Sequence, residues 1–334
     1  MERVRLGKSG LLVTPIGLGL AALGRPGYIN IGHEQDLLGH REVAALEAQA
    51  YAVLDAAWNA GIRYFDAARS YGRAEAFLSS WLHRRGFDPA EVAVGSKWGY
   101  TYTAGWRVKL PEGEEHEVKE HSINVLKRQI RESRELLGDY LDLYQIHSAT
   151  LDSGVLENEA VLTELAQLRD GGLAIGFTTS GPRQPETIWK ALEIERGGSM
   201  LFASVQATWN FLERSATKAL EAAHEAGLGV IIKEALANGR LTSRNESPDF
   251  QGKRAMLEAL SRERGTTIDA LALAAVLRQP FLDMVLSGAA KVEHLESNLA
   301  ALQLSWDPEL DGALDSLVET AADYWKTRSN LPWS

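Results

Sequence analysis

Residues 61–72 of the chain read GIRYFDAARSYG, a stretch that joins the end of a helix to a strand and a turn. Gly61 stands where the C-terminal cap of a helix belongs, and residues 63–66 form a short apolar run typical of a buried strand. The preceding helix is indicated by apolar residues at helical spacing, namely Leu46, Ala50, Val53, Leu54 and Ala57. Helix followed by strand is the repeating unit of an α/β protein.

The same alternation continues from about residue 12 to about residue 302. Strands are predicted at 13–18, 63–66, 92–97, 141–147, 175–178, 204–206, 229–233 and 284–287. Helices are predicted near 46–57, 123–137, 161–168, 185–196, 215–226 and 292–302. Repeated strand–helix units give a parallel sheet, and eight of them favour a closed (β/α)8 TIM barrel over an open sheet. We therefore expect residues 1–334 to form a single α/β domain.

Two polar stretches interrupt this pattern, at about 24–39 and about 100–120, and both contain Gly and Pro. Long loops that follow barrel strands lie over the active face, so we expect both stretches there. The alternative is that each is a tolerated surface insertion.

The composition narrows the range of partners. The chain has 334 residues, 45% of them hydrophobic, with a net charge of −10 and no cysteine. Net negative charge disfavours nucleic acid and anionic membranes, and the lack of cysteine excludes disulfides and thiolate metal sites. The N-terminal residues 1–5 are charged, and neither a signal peptide nor a membrane span is apparent. We expect a cytoplasmic protein that binds a small molecule, with no metal.

Four residues that can transfer protons fall where a barrel places its chemistry. Asp66, Lys97 and His147 end three consecutive predicted strands, and Tyr71 follows Asp66 by five residues. A phenol has an ordinary pKa of about 10, which a neighbouring ammonium lowers. The carboxylate can hold the ammonium, and the imidazole can donate a hydrogen bond to a carbonyl oxygen.

Each of these residues also has a purely structural interpretation. Asp66 can cap a turn, Tyr71 can be a surface ring, Lys97 can be a solvated strand end, and a lone His147 is usually a hydrogen-bonded core residue. Their coincidence at one barrel rim favours the catalytic interpretation.

Three motifs resemble the aldo-keto reductase superfamily: residues 61–72, residues 141–147 (LDLYQIH), and residues 287–291 (SGAAK) with Asn298 beyond them. The resemblance covers nearly the whole chain. It implies Tyr71 as proton donor or acceptor, Lys97 and Asp66 as the pair that tunes it, and His147 as the group that orients the carbonyl. The implied activity is hydride transfer between a nicotinamide and a small carbonyl or alcohol.

The resemblance also implies a cofactor that lies extended across the barrel mouth, without a Rossmann domain. Its carboxamide would contact Thr178, Thr179 and Gln206, where Thr179 departs from the family's Asn. Lys233 stands where the family usually stacks an aromatic ring, so its stem can cover the nicotinamide, its charge can attract an anionic substrate group, or it can pair with Glu234 or a cofactor phosphate. The remaining contacts on this side would come from Gly19, Leu20 and Asp66.

The cofactor tail is expected at the start of the last predicted helix. Gly288 and Ala289 allow close backbone approach, and a helix N-terminus favours phosphate. Lys291 is placed to reach an adenosine 2′-phosphate, which favours NADP(H) over NAD(H), although it can also be a solvated residue. Asn298 is expected to hold the adenine, and Ser297 replaces the family's frequent Glu.

The substrate pocket is predicted to be walled by four aromatic residues, Trp98, Tyr100, Trp106 and Trp209. Two other functions fit the same motifs. One is a cofactor-binding regulatory subunit that turns over little, as in the resembling potassium-channel β subunits. The other is an NAD-linked sugar dehydrogenase working in the oxidative direction. The sequence indicates neither the substrate nor the oligomeric state.

Overall fold

A computed structural model describes residues 1–37 and 39–334, and its centre is a closed barrel of eight parallel strands. The barrel strands are β1 (Ile16–Gly19), β2 (Tyr64–Asp66), β3 (Ala93–Trp98), β4 (Leu141–Ala149), β5 (Ala174–Thr179), β6 (Ser204–Thr208), β7 (Gly229–Lys233) and β8 (Met284–Ser287). Each strand pairs with the next in this order, and β8 closes on β1. The predicted (β/α)8 barrel is confirmed.

Helices surround the barrel and follow its strands. They are α1 (His33–Asp36), α2 (Val43–Asn59), α3 (Ala74–Arg85), α4 (Ile123–Leu137), α5 (Glu159–Asp170), α6 (Gln184–Leu192), α7 (Thr217–Ala226), α8 (Gln251–Glu263), α9 (Ile268–Leu277), α10 (Val292–Leu299), α11 (Pro308–Asp315) and α12 (Ala321–Ser329). In the described part of the chain, no helix combines the length and the apolar character that a membrane crossing requires.

The barrel strands are apolar because both of their faces are covered. Strands β2, β3 and β6 are buried along their whole length, one face toward the barrel interior and the other beneath the helices. A hairpin of Val4–Arg5 with Leu12–Val13 precedes the barrel, and its Leu6 and Val13 pack against barrel residues such as Tyr64. The backbone of Lys8 bonds to Gly227, just before β7, so the hairpin closes the N-terminal end of the barrel.

The first predicted strand, residues 13–18, is wrong as a single element. Val13 belongs to the N-terminal hairpin, and the barrel strand begins only at Ile16. Pro15 has no N–H to donate to a ladder. The break is held by the Thr14 hydroxyl, which donates to the carbonyl of Ile16 (2.8 Å) and accepts from the N–H of Arg63 (3.1 Å).

Two predicted helices are shorter than expected. The helix predicted near 185–196 ends at Leu192 and is followed by a small hairpin of Glu195–Arg196 with Ser199–Met200. The helix predicted over 292–302 ends at Leu299, where a 3-10 turn, Ala300–Gln303, continues it.

Both interrupting stretches contain ordered structure on the C-terminal side of the barrel. The stretch at 100–120 forms an antiparallel pair, Tyr100–Tyr102 with Glu117–Lys119. The stretch at 24–39 contains α1, and its residue Leu38 lies outside the described residues. This loop is bonded to the loop after β7, where the Asn238 amide donates to the carbonyl of Ile29 (2.8 Å), and to the chain end, where Tyr28 and Ser334 exchange backbone hydrogen bonds.

A buried carboxylate holds the turn that carries Tyr71. Glu75, in the first turn of α3, is 2% exposed and accepts hydrogen bonds from the hydroxyls of Ser96 and Ser133, both at 2.6 Å. It also forms an ion pair with Arg69, which lies two residues before Tyr71. The Glu75 carboxylate therefore ties the turn after β2 to β3 and α4.

Glu75→Ala should lower the free energy of unfolding by about 3 kcal/mol, because it leaves two buried hydroxyls and part of a guanidinium without their acceptor. Chemical denaturation at neutral pH measures the change. Glu135→Ala is the matched control on α4, since Glu135 is exposed and lies 3.9 Å from Arg131, and we expect a change within about 0.5 kcal/mol. Equal losses in both variants would contradict a special role for Glu75.

Candidate active site

The C-terminal rim of the barrel opens into a cavity of about 860 Å³. At one end it is lined by Asp66, Tyr71 and His147, and at the other by Thr267 and Asn298. The end residues of β1, β2, β7 and β8 also line the cavity, as does Gln206 within β6. The cavity is therefore elongated and lies on the face where α/β barrels carry their chemistry.

Asp66 and Lys97 form an ion pair at the floor of this cavity, with side chains that are 2% and 0% exposed. The Lys97 ammonium also donates to the carbonyl of Ala67 (2.9 Å). The Oδ1 atom of Asp66 accepts hydrogen bonds from Tyr64 (3.2 Å) and Gln206 (3.3 Å). Both charges of this pair are thus neutralised and fixed in orientation, as burial of an ion pair requires.

Tyr71 and His147 lie above the ion pair and face one another. Their rings are edge to face with centroids 5.5 Å apart, and the Lys97 Nζ atom is 5.0 Å from the Tyr71 ring centroid. Neither the Tyr71 hydroxyl nor the His147 Nε2 atom has a hydrogen-bond partner among the residues that the structure describes. Two polar groups in the cavity wall are therefore available to the oxygen of a ligand.

The electrostatics of Tyr71 differ from the sequence-based expectation. Burial raises the pKa of Tyr71 above its ordinary value, and the Asp66 charge raises it further, whereas the Arg25 guanidinium lowers it. Asp66, which is paired with Lys97, opposes the effect of that ammonium on Tyr71. The expectation that Lys97 lowers the pKa of Tyr71 therefore stays a prediction. Arg25, which sequence reasoning missed, is the cation that opposes burial.

His147 is held in its neutral form. Burial, followed by the charges of Lys97 and Lys233, lowers its pKa well below the ordinary histidine value. Its Nδ1 atom lies 3.5 Å from the Ser70 hydroxyl. A neutral imidazole can donate one hydrogen bond but supplies no readily released proton near neutral pH, so this arrangement favours orientation of a carbonyl over acid catalysis.

The residues expected at the cofactor divide into two groups. Those that line the cavity are Gly19, Asp66, Gln206, Lys233, Gly288, Ala289 and Asn298. Those that do not are Leu20, Thr178, Thr179 and Lys291. Leu20 is fully buried in the core, so its side chain is turned away from the cavity.

Thr178 and Thr179 lie on the strand where the prediction placed them, but their side chains do not line the cavity. The Thr178 hydroxyl accepts the N–H of Ser148 (2.7 Å), and the Thr179 hydroxyl donates to the Gln184 side chain (3.3 Å), so both are used within the protein. Ser180, the next residue, lines the cavity instead. No sequence signal distinguished Ser180, because the end of β5 could not be located to one residue.

A charged cluster that sequence reasoning did not anticipate lies at the far end of the cavity. Asp36, which is 1% exposed, accepts hydrogen bonds from Arg244 at 2.6 and 2.9 Å. The side chains of Lys291 and His294 lie 3.8 and 3.6 Å from the same carboxylate. Lys291 therefore pairs with the β1 loop, and Arg244 and His294 are the basic residues of this cluster that line the cavity.

Of the four aromatic residues expected at the substrate, only Tyr100 lines the cavity. Trp98 and Trp209 are 0% and 3% exposed and belong to the hydrophobic core, where Trp209 donates to the Thr217 hydroxyl (2.9 Å). Trp106 packs against the core and donates to the carbonyl of Arg41 (2.6 Å). These three predictions are wrong because large apolar rings gain more from packing beneath the helices than from facing a polar cavity.

The catalytic end of the cavity is instead lined mostly by polar and charged residues. Besides Tyr71 and His147 its wall includes Arg25, Tyr28, Tyr100, Glu117, Lys233, Glu234 and Arg328. Glu234 accepts a hydrogen bond from Arg328 (2.7 Å), and Lys233 donates to the Thr208 hydroxyl (2.9 Å) at 3.9 Å from Glu234. In the described part of the chain, no group of three or more histidine or acidic side chains is arranged to hold a metal ion.

Lys233 carries a charge that the protein only partly compensates. Its pKa is lowered to about 8, chiefly by burial and also by the charges of Arg328 and Lys97, whereas Glu234 raises it. The nearest carboxylate, Glu234, is engaged with Arg328, whose charge helps to hold the pKa of Glu234 at about 2 against the effect of burial. Lys233 is thus a buried ammonium that titrates close to neutral pH.

Lys233→Met should change how stability depends on alkaline pH. Between pH 8 and 10.5 the folded protein has released the Lys233 proton while the unfolded chain retains it, so stability rises with pH in this window. Between these two pH values, the free energy of unfolding of the wild type should therefore rise by on the order of 2–3 kcal/mol relative to that of Lys233→Met. Urea denaturation at several pH values measures the difference. Lys218→Met, which removes an exposed lysine, should follow the wild type; parallel curves for Lys233→Met would contradict the assignment.

Comparison with known proteins agrees with this fold. The sequence model of the Aldo/keto reductase family matches residues 15–319. Among curated relatives, the "Uncharacterized oxidoreductase YrpG" of Bacillus subtilis is 27% identical over 93% of this chain and 94% of its own length. The L-glyceraldehyde 3-phosphate reductase of Escherichia coli is 26% identical over 89% of this chain and 86% of its own.

Solved structures show the same architecture. An aldo-keto reductase of Bacillus halodurans, AKR11C1 in its holo form, superposes with a TM-score of 0.70 at 21% identity and covers 96% of this chain and 97% of its own. The family model spans the barrel from the first strand to beyond α11 and includes Asp66, Tyr71, Lys97 and His147. The chain belongs to the aldo/keto reductase family of oxidoreductases.

Proposed function

We propose that this protein is an NAD(P)(H)-dependent oxidoreductase that interconverts a small carbonyl compound and its alcohol. The observation that carries the proposal is the constellation at the cavity floor: the buried Asp66–Lys97 pair beneath Tyr71 and His147, whose polar atoms have no partners in the described residues. A proton donor and a hydrogen-bond donor that face one open space suit a substrate oxygen.

The cavity fits an elongated dinucleotide. It runs from the catalytic residues to Asn298 and passes Gly288 and Ala289, which precede α10. No side chain caps the N-terminus of α10, so its first N–H groups remain available for a phosphate. Gln206 and Ser180 would contact the nicotinamide end, and Arg244, His294 and Asn298 the adenosine end. When bound, the cofactor supplies or accepts the hydride.

The chain's own residues would manage the proton and the substrate. In reduction, the Tyr71 hydroxyl donates its proton to the carbonyl oxygen, and the neutral His147 orients that oxygen. Burial leaves Tyr71 with a raised pKa, so the phenol is protonated at neutral pH and ready to act as an acid. The Lys97 ammonium, held by Asp66, stabilises the phenolate that forms.

Tyr71→Phe should lower kcat by on the order of 10²-fold or more while the cofactor dissociation constant stays the same, because only the hydroxyl is removed. Lys97→Met should reduce kcat similarly. The measurement is nicotinamide absorbance during turnover of the best substrate from an aldehyde panel, with cofactor affinity determined separately. Near wild-type turnover by Tyr71→Phe would overturn the proposed function, and a fully folded wild type without turnover on any carbonyl would favour the regulatory alternative.

We further propose a preference for NADP(H) over NAD(H). Arg244, Lys291 and His294 gather around a single carboxylate, Asp36, at the adenosine end of the cavity. The Arg244 guanidinium and the Lys291 ammonium can each form a charge-assisted hydrogen bond, which suits the 2′-phosphate of NADP(H). The cytoplasmic location inferred from the sequence stays a prediction.

Arg244→Met and Lys291→Met should each weaken NADPH binding by about tenfold and leave NADH binding within about twofold, because only NADPH presents the extra phosphate. Fluorescence titration of both reduced cofactors measures the two dissociation constants. Lys218→Met serves as the control for a general change in surface charge. Equal wild-type affinity for the two cofactors, or tighter NADH, would contradict the preference and favour the NAD-linked dehydrogenase.

A further inference from the structure

Arg25 is a nearly buried cation in the wall of the catalytic end of the cavity. It is 2% exposed, and its guanidinium carbon lies 5.3 Å from the Tyr71 ring centroid. The rings of Tyr28 and Trp333 lie 5.3 and 4.8 Å from the same carbon. Arg25 lies in the loop after β1, at residues 24–31, and this loop places it beside Tyr71, the proposed proton donor.

Only one of the three Arg25 nitrogens has a protein partner in the described part of the chain. Nη1 donates to the carbonyl of Ser70 (2.9 Å) and to the Glu117 carboxylate (2.8 Å). Nε is buried without a partner. Nη2 is not part of either side-chain hydrogen bond that Arg25 makes with the described residues. Nε and Nη2 form the side edge of a guanidinium, where two parallel N–H groups match the oxygens of a carboxylate or phosphate.

A buried donor without a partner costs free energy, so this edge is better explained by a ligand than by packing. The charges around it favour an anionic one. Three cations, Arg25, Lys233 and Arg328, face this end of the cavity, and two carboxylates, Glu117 and Glu234, oppose them. Asp66 is neutralised by Lys97. One positive charge is therefore in excess.

Building on the proposed function, we propose that the substrate is an aldehyde or ketone with a carboxylate or phosphate a few bonds from its carbonyl, and that the Nε–Nη2 edge of Arg25 binds this anion. Tyr71 and Arg25 are close enough for one small molecule to reach both. The ion pair with Glu117 fixes the guanidinium, so its free edge is oriented before the substrate arrives. Arg25 is thus a specificity-determining residue.

The central experiment compares kcat/KM within matched substrate pairs. The pairs are glyceraldehyde 3-phosphate with glyceraldehyde, and 3-carboxybenzaldehyde with its methyl ester. For the wild type we expect the anionic member of each pair to be preferred. Arg25→Gln should reduce that preference by about tenfold or more, the usual effect of truncating a charged hydrogen-bond partner. Loss of the Arg25 charge beside Tyr71 acts on both members of a pair, so the ratio within each pair isolates the effect on anion binding. Arg25→Lys keeps the positive charge but lacks the Nε–Nη2 edge, so its preference for the anionic substrate should lie between those of the wild type and Arg25→Gln.

A second variant, Glu117→Gln, should have the opposite effect on the binding of anionic substrates. Glu117→Gln can still accept a hydrogen bond from Nη1 but removes the carboxylate that competes for the Arg25 charge, so KM for the anionic substrates should fall by several-fold. Arg73→Gln is the matched control, because Arg73 is an exposed arginine of the same region that faces Trp106. It should leave the preference within each pair unchanged.

Binding without turnover separates this proposal from the proposed chemistry. Calorimetric titration with benzoate and with benzamide, in the presence of oxidised cofactor, should show binding of benzoate that Arg25→Gln weakens. This result can be obtained even if no substrate is turned over.

Three outcomes would overturn the assignment. Equal losses for anionic and neutral substrates in Arg25→Gln would indicate a structural role only. A preference of the wild type for neutral polyhydroxylated carbonyls would indicate a hydroxyl-binding edge. A weakened affinity of Arg25→Gln for NADPH, in parallel with benzoate, would assign the edge to a phosphate of the cofactor.

Discussion

The buried ion pair between Lys97 and Asp66 is the constraint on which the rest of the site depends. Two charges that are almost fully removed from water are tolerated only when their remaining hydrogen-bonding capacity is satisfied. Here Ala67 accepts from the ammonium, while Tyr64 and Gln206 donate to the carboxylate. These partners come from several strands, so only the closed barrel assembles them. The two charges of the pair oppose one another at Tyr71, where burial and Asp66 raise the pKa and Arg25 lowers it.

The barrel, and the placement of Asp66, Tyr71, Lys97 and His147 at one rim, could be predicted from sequence because both depend on local pattern. Strand-length apolar runs, separated by helical periodicity, define the order of elements, and residues at strand ends share one rim. The directions of individual side chains could not be predicted in this way. Thr178 and Thr179 lie within β5 and use their hydroxyls inside the protein, whereas Ser180, just beyond the strand end, lines the cavity. Trp98 and Trp209 show the same limit, since their burial depends on helices distant in sequence.

The residues that sequence reasoning missed lie in the segments that follow the barrel strands. Arg25, Asp36 and Glu117 belong to the stretches after β1 and β3, and Arg244 to the loop after β7. Loop residues carry no periodicity, and their contacts bridge long separations, such as the 208 residues between Asp36 and Arg244. The barrel strands carry the Asp66–Lys97 pair at the base of the cavity, whereas these loops contribute the charged residues of its wall. The charge of the cavity wall thus depends on segments whose contacts a sequence pattern does not predict.

The contacts between the β1 loop and the β7 loop have a kinetic consequence. In the barrel, β8 lies between β7 and β1, and the cavity passes its end at Gly288 on the way to α10. The two loops are joined across this position by Asn238 with Ile29 and by Arg244 with Asp36. A long ligand that occupies the whole cavity therefore exchanges by opening these contacts or by threading past them. Their strength then sets the residence time of that ligand separately from its affinity, since both the forward and the reverse passage cross the same barrier.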